Sequence, residues 1–457
     1  MQSIPGYDLE TLINTRRIGR FQTVIVLLCA LVAMLDGFDT QAIAFVAPAI
    51  LQEWHVVPSA FGPVFGAGLV GGLIGAIVFG ILSDRIGRRK VLLCTVLLFS
   101  VGSLLTPLCT SVTMLGGIRL VTGIGLGGAL PSFISLTSEY APARLRATLV
   151  SMMFCGFPIG AVIGGLASAK LITTLGWASV FIIGGILPIL LMPLLVVFMP
   201  ESIHYLALRN DYIRVARIVR RMRCEAEWSG AVCASIRETR APIRSLFRDG
   251  RAPGTVLLWI TLFLSLLLTY FLVNWIPLVA QRQGLEIESA VHAVSMLNLG
   301  AVIGCIVLGK LADRFGTAFV ISTAFALGSV AIALLGVAGD SAEMLSTMAF
   351  AAGCLSIGAQ MCTLALCAAF YDTHLRATGI GWSVGVGRVG AIIGPVLGGI
   401  LFGAGMDTEQ LFIAVGATSL GASVSVFLIG RLLIPRARAS MDSEMSQDSP
   451  AVPRHTR

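Results

Sequence analysis

Twelve separate runs of about twenty mainly apolar residues constrain this chain more than any other feature. A run of that length matches the hydrocarbon thickness of a bilayer crossed by a helix rising ~1.5 Å per residue. The runs fall near 23–49, 60–82, 90–109, 112–136, 148–170, 177–199, 254–279, 289–310, 317–337, 343–369, 377–403 and 410–433. The predicted fold class is therefore an all-α integral membrane protein with twelve transmembrane helices. Only 12% of the 457 residues are charged, about half the usage of soluble domains. A polar 1–22 segment precedes the first span and contains no cleavable signal, and the hydrophilic stretch 200–253 separates two sets of six spans. The units read as 23–199, the linker 200–253, 254–434 and a Ser/Asp/Pro-rich tail, 435–457, expected to be disordered.

The net charge of +8 comes from basic residues in loops between spans, a pattern of membrane topology rather than nucleic-acid binding. Alternate loops carry Arg16, Arg17 and Arg20, then Arg85 to Lys90, then Arg144 and Arg146, with eleven arginines from Arg209 to Arg251. The intervening loops are nearly free of them, Lys170 and Arg282 excepted. The positive-inside rule then puts both termini and the linker in the cytoplasm. The stretch "RNDYIRVARIVRRMR" (209–223) has helical spacing of Ile213, Val215, Ala216 and Val219, and reads as a basic amphipathic surface attracted to anionic lipid. The ten cysteines form no CxxC or Cys/His cluster, so neither metal nor disulfide is expected. No phosphate-binding Gly-x-x-x-x-Gly-Lys-Ser/Thr stretch occurs, which disfavours ATP-driven work.

The two sets of six echo each other. "GILSDRIG" from Gly80 returns as "GKLADRFG" from Gly309, 229 residues later. "LRAT" at Leu145 and Leu375, and "GAVIG" at Gly160 against "GAIIG" at Gly390, recur at an offset of 230. Matched echoes at nearly one offset indicate duplication of a six-span unit.

Into this apolar scaffold the first span places two carboxylates, in "LDGFDT". A charge at the bilayer centre costs on the order of 2.5–3.5 kcal/mol, so Asp36 and Asp39 must face an interior or water. Spaced i and i+3, they share one helix face. Their proximity favours keeping a proton on one of them. Asp36 lies about 20 Å from the start of its span and Arg119 about 10 Å into span 4 from the other side, so either aspartate can pair with it. Arg388 falls near the midplane of span 11, where a guanidinium suits a bidentate carboxylate contact. Each has a blander reading: the aspartates as helix anchors, Arg119 as a coupling rather than a substrate group, Arg388 as a gating ion pair.

The loop "GILSDRIGRRK" and its second copy resemble the signature loop of the major facilitator superfamily. "GGIRLVTGIGLGG" (116–128) resembles its span-4 pattern, and "PESIHYL" (200–206) the segment after its span 6. Three stretches carry a narrower resemblance to the aromatic acid:proton symporters of that superfamily: "LDGFDTQAIAFVAPAI", "SEYAPARLRAT" and "YDTHLRATGIGWSVGVGRVGAIIGPVLGG". The resemblance implies two pseudo-symmetric six-helix bundles rocking about a central site, with protons as the coupling ion, no other cofactor and no enzymatic activity. It implies proton-coupled import of benzoate, hydroxybenzoates or related acids across a bacterial inner membrane, by a chain working as a monomer. Asp36, Asp39, Arg119 and Glu139 fall on the coupling positions. Gly80, Asp84, Arg85, Arg88, Gly309, Asp313, Arg314 and Arg376 fall on the cytoplasmic gate. Arg388 is the expected substrate anchor, with Phe38, Tyr270, Asn274, Trp275, Asn298, Gln360 and Trp382 as further candidates for contact. The sequence departs from some members in having no histidine in "DRFGTAFV", so no step can rest on an imidazole there. Other readings are import of a muconate-like dicarboxylate, drug efflux, and, from another class, an aromatic-acid chemoreceptor.

Overall fold

In a computed structural model of the chain, residues 13, 14, 18–222, 242–248, 250–337, 341–371 and 373–447 are described. Arg16, Arg17, linker residues 223–241 and tail residues 448–457 lie outside them. All twelve expected spans form helices: Arg20–Trp54, Pro58–Ile86, Arg88–Leu108, Val112–Tyr140, Thr148–Leu175, Ala178–Phe198, Ala252–Arg282, Ile287–Phe315, Thr317–Gly336, Ala342–Phe370, Thr378–Gly403 and Thr408–Arg431. They are called spans 1 to 12 below. Helices satisfy every backbone polar group internally, the condition for crossing hydrocarbon. Apolar side chains such as Ile81, Leu190 and Val330 stand more than half exposed, as a surface that faces lipid requires.

Several helices outrun their expected ends. Span 1 continues to Trp54, and the last helix, Thr408–Gln447, enters the tail expected to be disordered. The stretch "RARASMDSEM" is rich in Arg, Ala, Met and Glu, residues that prolong a helix at little cost. The linker also differs from expectation. Its helix Tyr212–Arg221 buries Val215, Ile218 and Val219 in the core of the first bundle. The apolar face read as a lipid-binding surface is thus already covered by protein, while Ile213 is exposed.

Three apolar cores set the shape. One, around Leu28, Phe99, Phe133 and Leu195, belongs to the first six spans and the linker helices. A second, around Leu262, Phe325, Leu366 and Ile429, belongs to the last six. The third draws on both halves, uniting Phe45, Phe61 and Phe65 with Phe271, Trp275 and Phe412. It lies at the end away from the linker, here called the far face. The halves therefore share a core at the far face and keep separate cores at the linker face. At the far face span 2 meets span 11 so closely that a Cβ on Gly62 would lie 3.1 Å from the Gly399 Cα. Small residues allow such backbone approach.

The duplicated loop reappears as duplicated geometry. Gly87 (φ 105°) and Gly316 (φ 94°) each end one helix and start the next, in the left-handed region that favours glycine.

Candidate functional site

Between the halves lies a cavity of about 450 Å³, running from mid-molecule toward the linker face. Spans 1, 2, 4 and 5 line it from the first half, and spans 7, 10 and 11 from the second. Its wall is mostly apolar, with Phe65, Leu126, Phe157, Leu266 and Val384, and polar groups cluster at its inner end: Asp36, Asp39, Thr40, Arg119, Tyr270, Asn274, Gln360 and Arg388.

Span 1 delivers the two carboxylates because positions i and i+3 share a face. Their settings differ. The Asp39 carboxylate stands 3.5 Å from the Arg119 guanidinium, with both side chains under 5% exposed. Ser103 also donates to Asp39. Arg119 donates to the hydroxyl oxygens of Thr106 at 2.8 Å and Thr122 at 3.4 Å, and its guanidinium lies 4.7 Å from the centre of the Phe181 ring. Only Nε of Arg119 lacks a partner among the described atoms. The alternatives left open by depth thus resolve to Asp39 with Arg119.

Asp36 has a sparser environment. Its Oδ1 accepts from Thr40 at 3.1 Å, one turn along the same helix. The charges within its reach are Asp39 and, from the opposite half, Arg388. Tyr270 lies within the same field of Asp36 and Arg388. Asn274, which lines the cavity, commits one amide hydrogen to the Tyr270 carbonyl at 2.7 Å.

Four candidates for substrate contact do not line the cavity. Phe38 is buried against Gly164 and Gly184 of spans 5 and 6. Trp275 is fully buried, stacked on Phe402 at 4.7 Å, and donates its indole hydrogen to the Pro395 carbonyl at 3.0 Å. Asn298 is paired with Gln41. Trp382, 48% exposed, stacks on Trp259. Helical phase explains the three aromatics: in lipid such a side chain can face cavity, neighbouring helix or bilayer with no change in sequence character.

At the linker face the two gate loops differ. In the first, Arg88 pairs with Glu139 and lies 3.7 Å from Asp84. The Glu201 carboxylate accepts from the Arg89 and Ser202 amides, each at 2.9 Å. Ser202 donates to Glu139 at 2.8 Å, and Arg209 donates to the Arg85 carbonyl at 2.8 Å. Glu201, from "PESIHYL", is the central member that the sequence reading passed over. Gly80 packs 3.9 Å from Pro131, measured from a Cβ built on it. In the second loop, Asp313 and Arg314 are exposed, and the Arg314 guanidinium sits over Phe315. A Cβ on Gly309 would meet nothing within 4 Å, and Arg376 is exposed.

Residues the sequence reading missed are mostly small hydroxyl side chains: Thr40, Ser103, Thr106 and Thr122. Thr40 was findable, four residues from Asp36. The others are ordinary span residues that gain meaning only once Arg119 is placed.

Comparison with known proteins fits this geometry. A gallate transporter of Pseudomonas putida is 38% identical over 426 residues, covering 93% of this chain and 95% of its own. The 4-hydroxybenzoate transporter PcaK of the same organism is also 38% identical, over 428 residues, covering 93% and 96%. Among solved structures, a bacterial homolog of the human lysosomal transporter Spinster, inward-facing and occupied, superposes with a TM-score of 0.71 at 17% identity, covering 91% of this chain and 98% of its own. The sequence model described as the Major Facilitator Superfamily matches residues 29–395 and 294–453. With twelve spans in two packed halves around a central cavity, the chain is a multi-pass membrane transporter and belongs to the Major Facilitator Superfamily.

Proposed function

We propose that this transporter imports aromatic carboxylates of the benzoate and hydroxybenzoate type with protons, by alternating access, across a bacterial inner membrane with both termini cytoplasmic. On that orientation the cavity opens to the cytoplasm. The observation that carries the reading is the Asp36–Arg388 juxtaposition: an acid and a guanidinium on opposite halves, facing one largely apolar cavity, neither committed to a strong partner among the described residues. The relatives named for gallate and 4-hydroxybenzoate supply the substrate class.

The coupling follows from competition for one cation. Ionised Asp36 attracts Arg388 and opposes entry of a second anion. With a proton on Asp36, Arg388 is free to hold the substrate carboxylate in a charge-assisted contact. The ring then occupies the apolar wall, and Tyr270, Asn274 and Gln360 are placed to meet ring hydroxyls. Each ligand raises the affinity for the other, as linkage requires, so proton and acid travel together. Asp39 and Arg119 act as the fixed pair that shapes the first half of the site. A dicarboxylate would want a second uncommitted guanidinium, and Arg119 is committed to Asp39.

Uptake of labelled 4-hydroxybenzoate into cells tests this. Accumulation is expected to collapse on addition of a protonophore and to be competed by benzoate more than by muconate. Accumulation that survived the protonophore would refute the coupling.

A further inference from the structure

In the apolar core that closes the far face, two carboxamides meet across the halves. Gln41 Nε2 donates to Asn298 Oδ1 at 3.0 Å, and Asn298 Nδ2 donates to Gln41 Oε1 at 2.8 Å. Both side chains are buried, at 4% and 5% exposure, and Asn298 also donates to its own Val294 carbonyl at 2.9 Å. Apolar residues within a turn of them on the same helices, Phe45, Val294, Leu297 and Ala301, belong to the shared core. A second polar contact across the halves, Gln281 Nε2 to the Pro48 carbonyl at 3.2 Å, lies in the same closed region.

An apolar pair would close this face as well. Replacing both partners of a buried hydrogen bond with apolar groups of like shape is nearly neutral or stabilising. The amides matter for the state in which the halves part. Parted apolar side chains meet water at a cost proportional to their area, whereas parted amides exchange each other for water with little net change. We infer that Gln41 and Asn298 form a reversible clasp, which closes the far face in this state and keeps its opening affordable in the other. The inference rests on the alternating-access reading above. The clasp belongs to neither the cavity nor the linker-face gate. It sets the balance between the two orientations of the site.

The test uses Ser59→Cys as reporter. Ser59 sits at the far face, its carbonyl 3.0 Å from a Cβ built on Gly399, and is partly covered where the halves meet, so parting them raises its labelling above the closed-state rate. Labelling by a membrane-impermeant maleimide applied to the far face, in the full-length chain, reports its opening. The same chain without the reporter corrects for native cysteines. Gln41→Leu or Asn298→Leu alone strands one buried amide in the closed state, and labelling should accelerate about tenfold. Gln41→Leu with Asn298→Leu removes both amides, and labelling should fall several-fold below the parent. The exchanged pair, Gln41→Asn with Asn298→Gln, should restore the parent rate. This reversal of sign between single and double variants is what a merely structural role would not produce. Labelling rates that shift in one direction for all three leucine variants, or do not shift, overturn the clasp while leaving alternation intact. A parent reporter never labelled from the far face overturns the alternating reading and the clasp with it. Should the leucine double variant not fold, Gln41→Met with Asn298→Met must give the same ordering, and its failure to do so overturns the clasp equally.

Discussion

The cavity holds two acid–arginine pairs, and they are built on opposite plans. Asp39 and Arg119 belong to one half, almost fully buried and surrounded by Ser103, Thr106, Thr122 and Phe181. Asp36 and Arg388 belong to different halves and face the cavity, and among the described residues Thr40 is the one hydrogen-bond partner of the acid. A charge pair within one rigid bundle is a fixture, since its members move together. A pair divided between bundles that rock changes its geometry with every cycle and can be broken by a proton or an anion. The contrast separates scaffold from mechanism at a single site.

The largest expected effect falls on the fixture. Asp39→Asn leaves Arg119 buried without a counter-charge, which typically costs about 3–5 kcal/mol. Thermal unfolding of the detergent-solubilised variant should show a drop of several degrees or a failure to accumulate folded protein. A variant as stable as the parent would erase the distinction between the pairs. Next comes the divided pair. Arg388→Gln should fold normally and bind 4-hydroxybenzoate roughly ten- to a hundredfold more weakly, the worth of a charge-assisted contact, as read by ligand-induced thermal shift. Smaller effects belong to the gate loops, where the same contrast recurs between built and bare copies of one motif. Glu139→Gln removes the nearer carboxylate partner of Arg88, itself only partly buried at 21% exposure, and should change the uptake rate by a factor of about five, for ~1 kcal/mol. Asp313→Asn, in the exposed second loop, should leave uptake and stability unchanged within error, as isolated surface charges usually do. Equal effects at Glu139 and Asp313 would show that the two loops are equivalent after all.

Much of the architecture was legible because hydrophobic length and sequence echo are one-dimensional signals. The twelve spans followed from apolar runs, and the repeat placed Gly87 and Gly316 at equivalent turns. The in-span charges were equally legible, since a carboxylate or guanidinium in hydrocarbon needs a reason, and Asp36, Asp39, Arg119 and Arg388 all line the cavity. The neutral residues were not. Residue type points to Phe38, Trp275 and Trp382 as ligand contacts, but helical phase turns each toward packing or the surface. Asn298 was chosen for its polarity, and its partner Gln41 lies 257 residues away, beyond any local pattern. The linker helix misled for a related reason: an amphipathic stripe looks the same whether lipid or protein covers it. In the tail, composition suggests disorder, while the helix of span 12 continues to Gln447.

The central claim is that Asp36 takes up the proton that frees Arg388 for substrate. Calorimetric titration of 4-hydroxybenzoate into the purified transporter, in buffers of differing ionisation enthalpy near neutral pH, counts the protons taken up on binding. Proton uptake that rises toward one per substrate as the pH is raised above neutrality is expected for the parent, and near zero for Asp36→Asn, which should still bind. Undiminished proton uptake in Asp36→Asn, or none in the parent at any pH, would contradict the account.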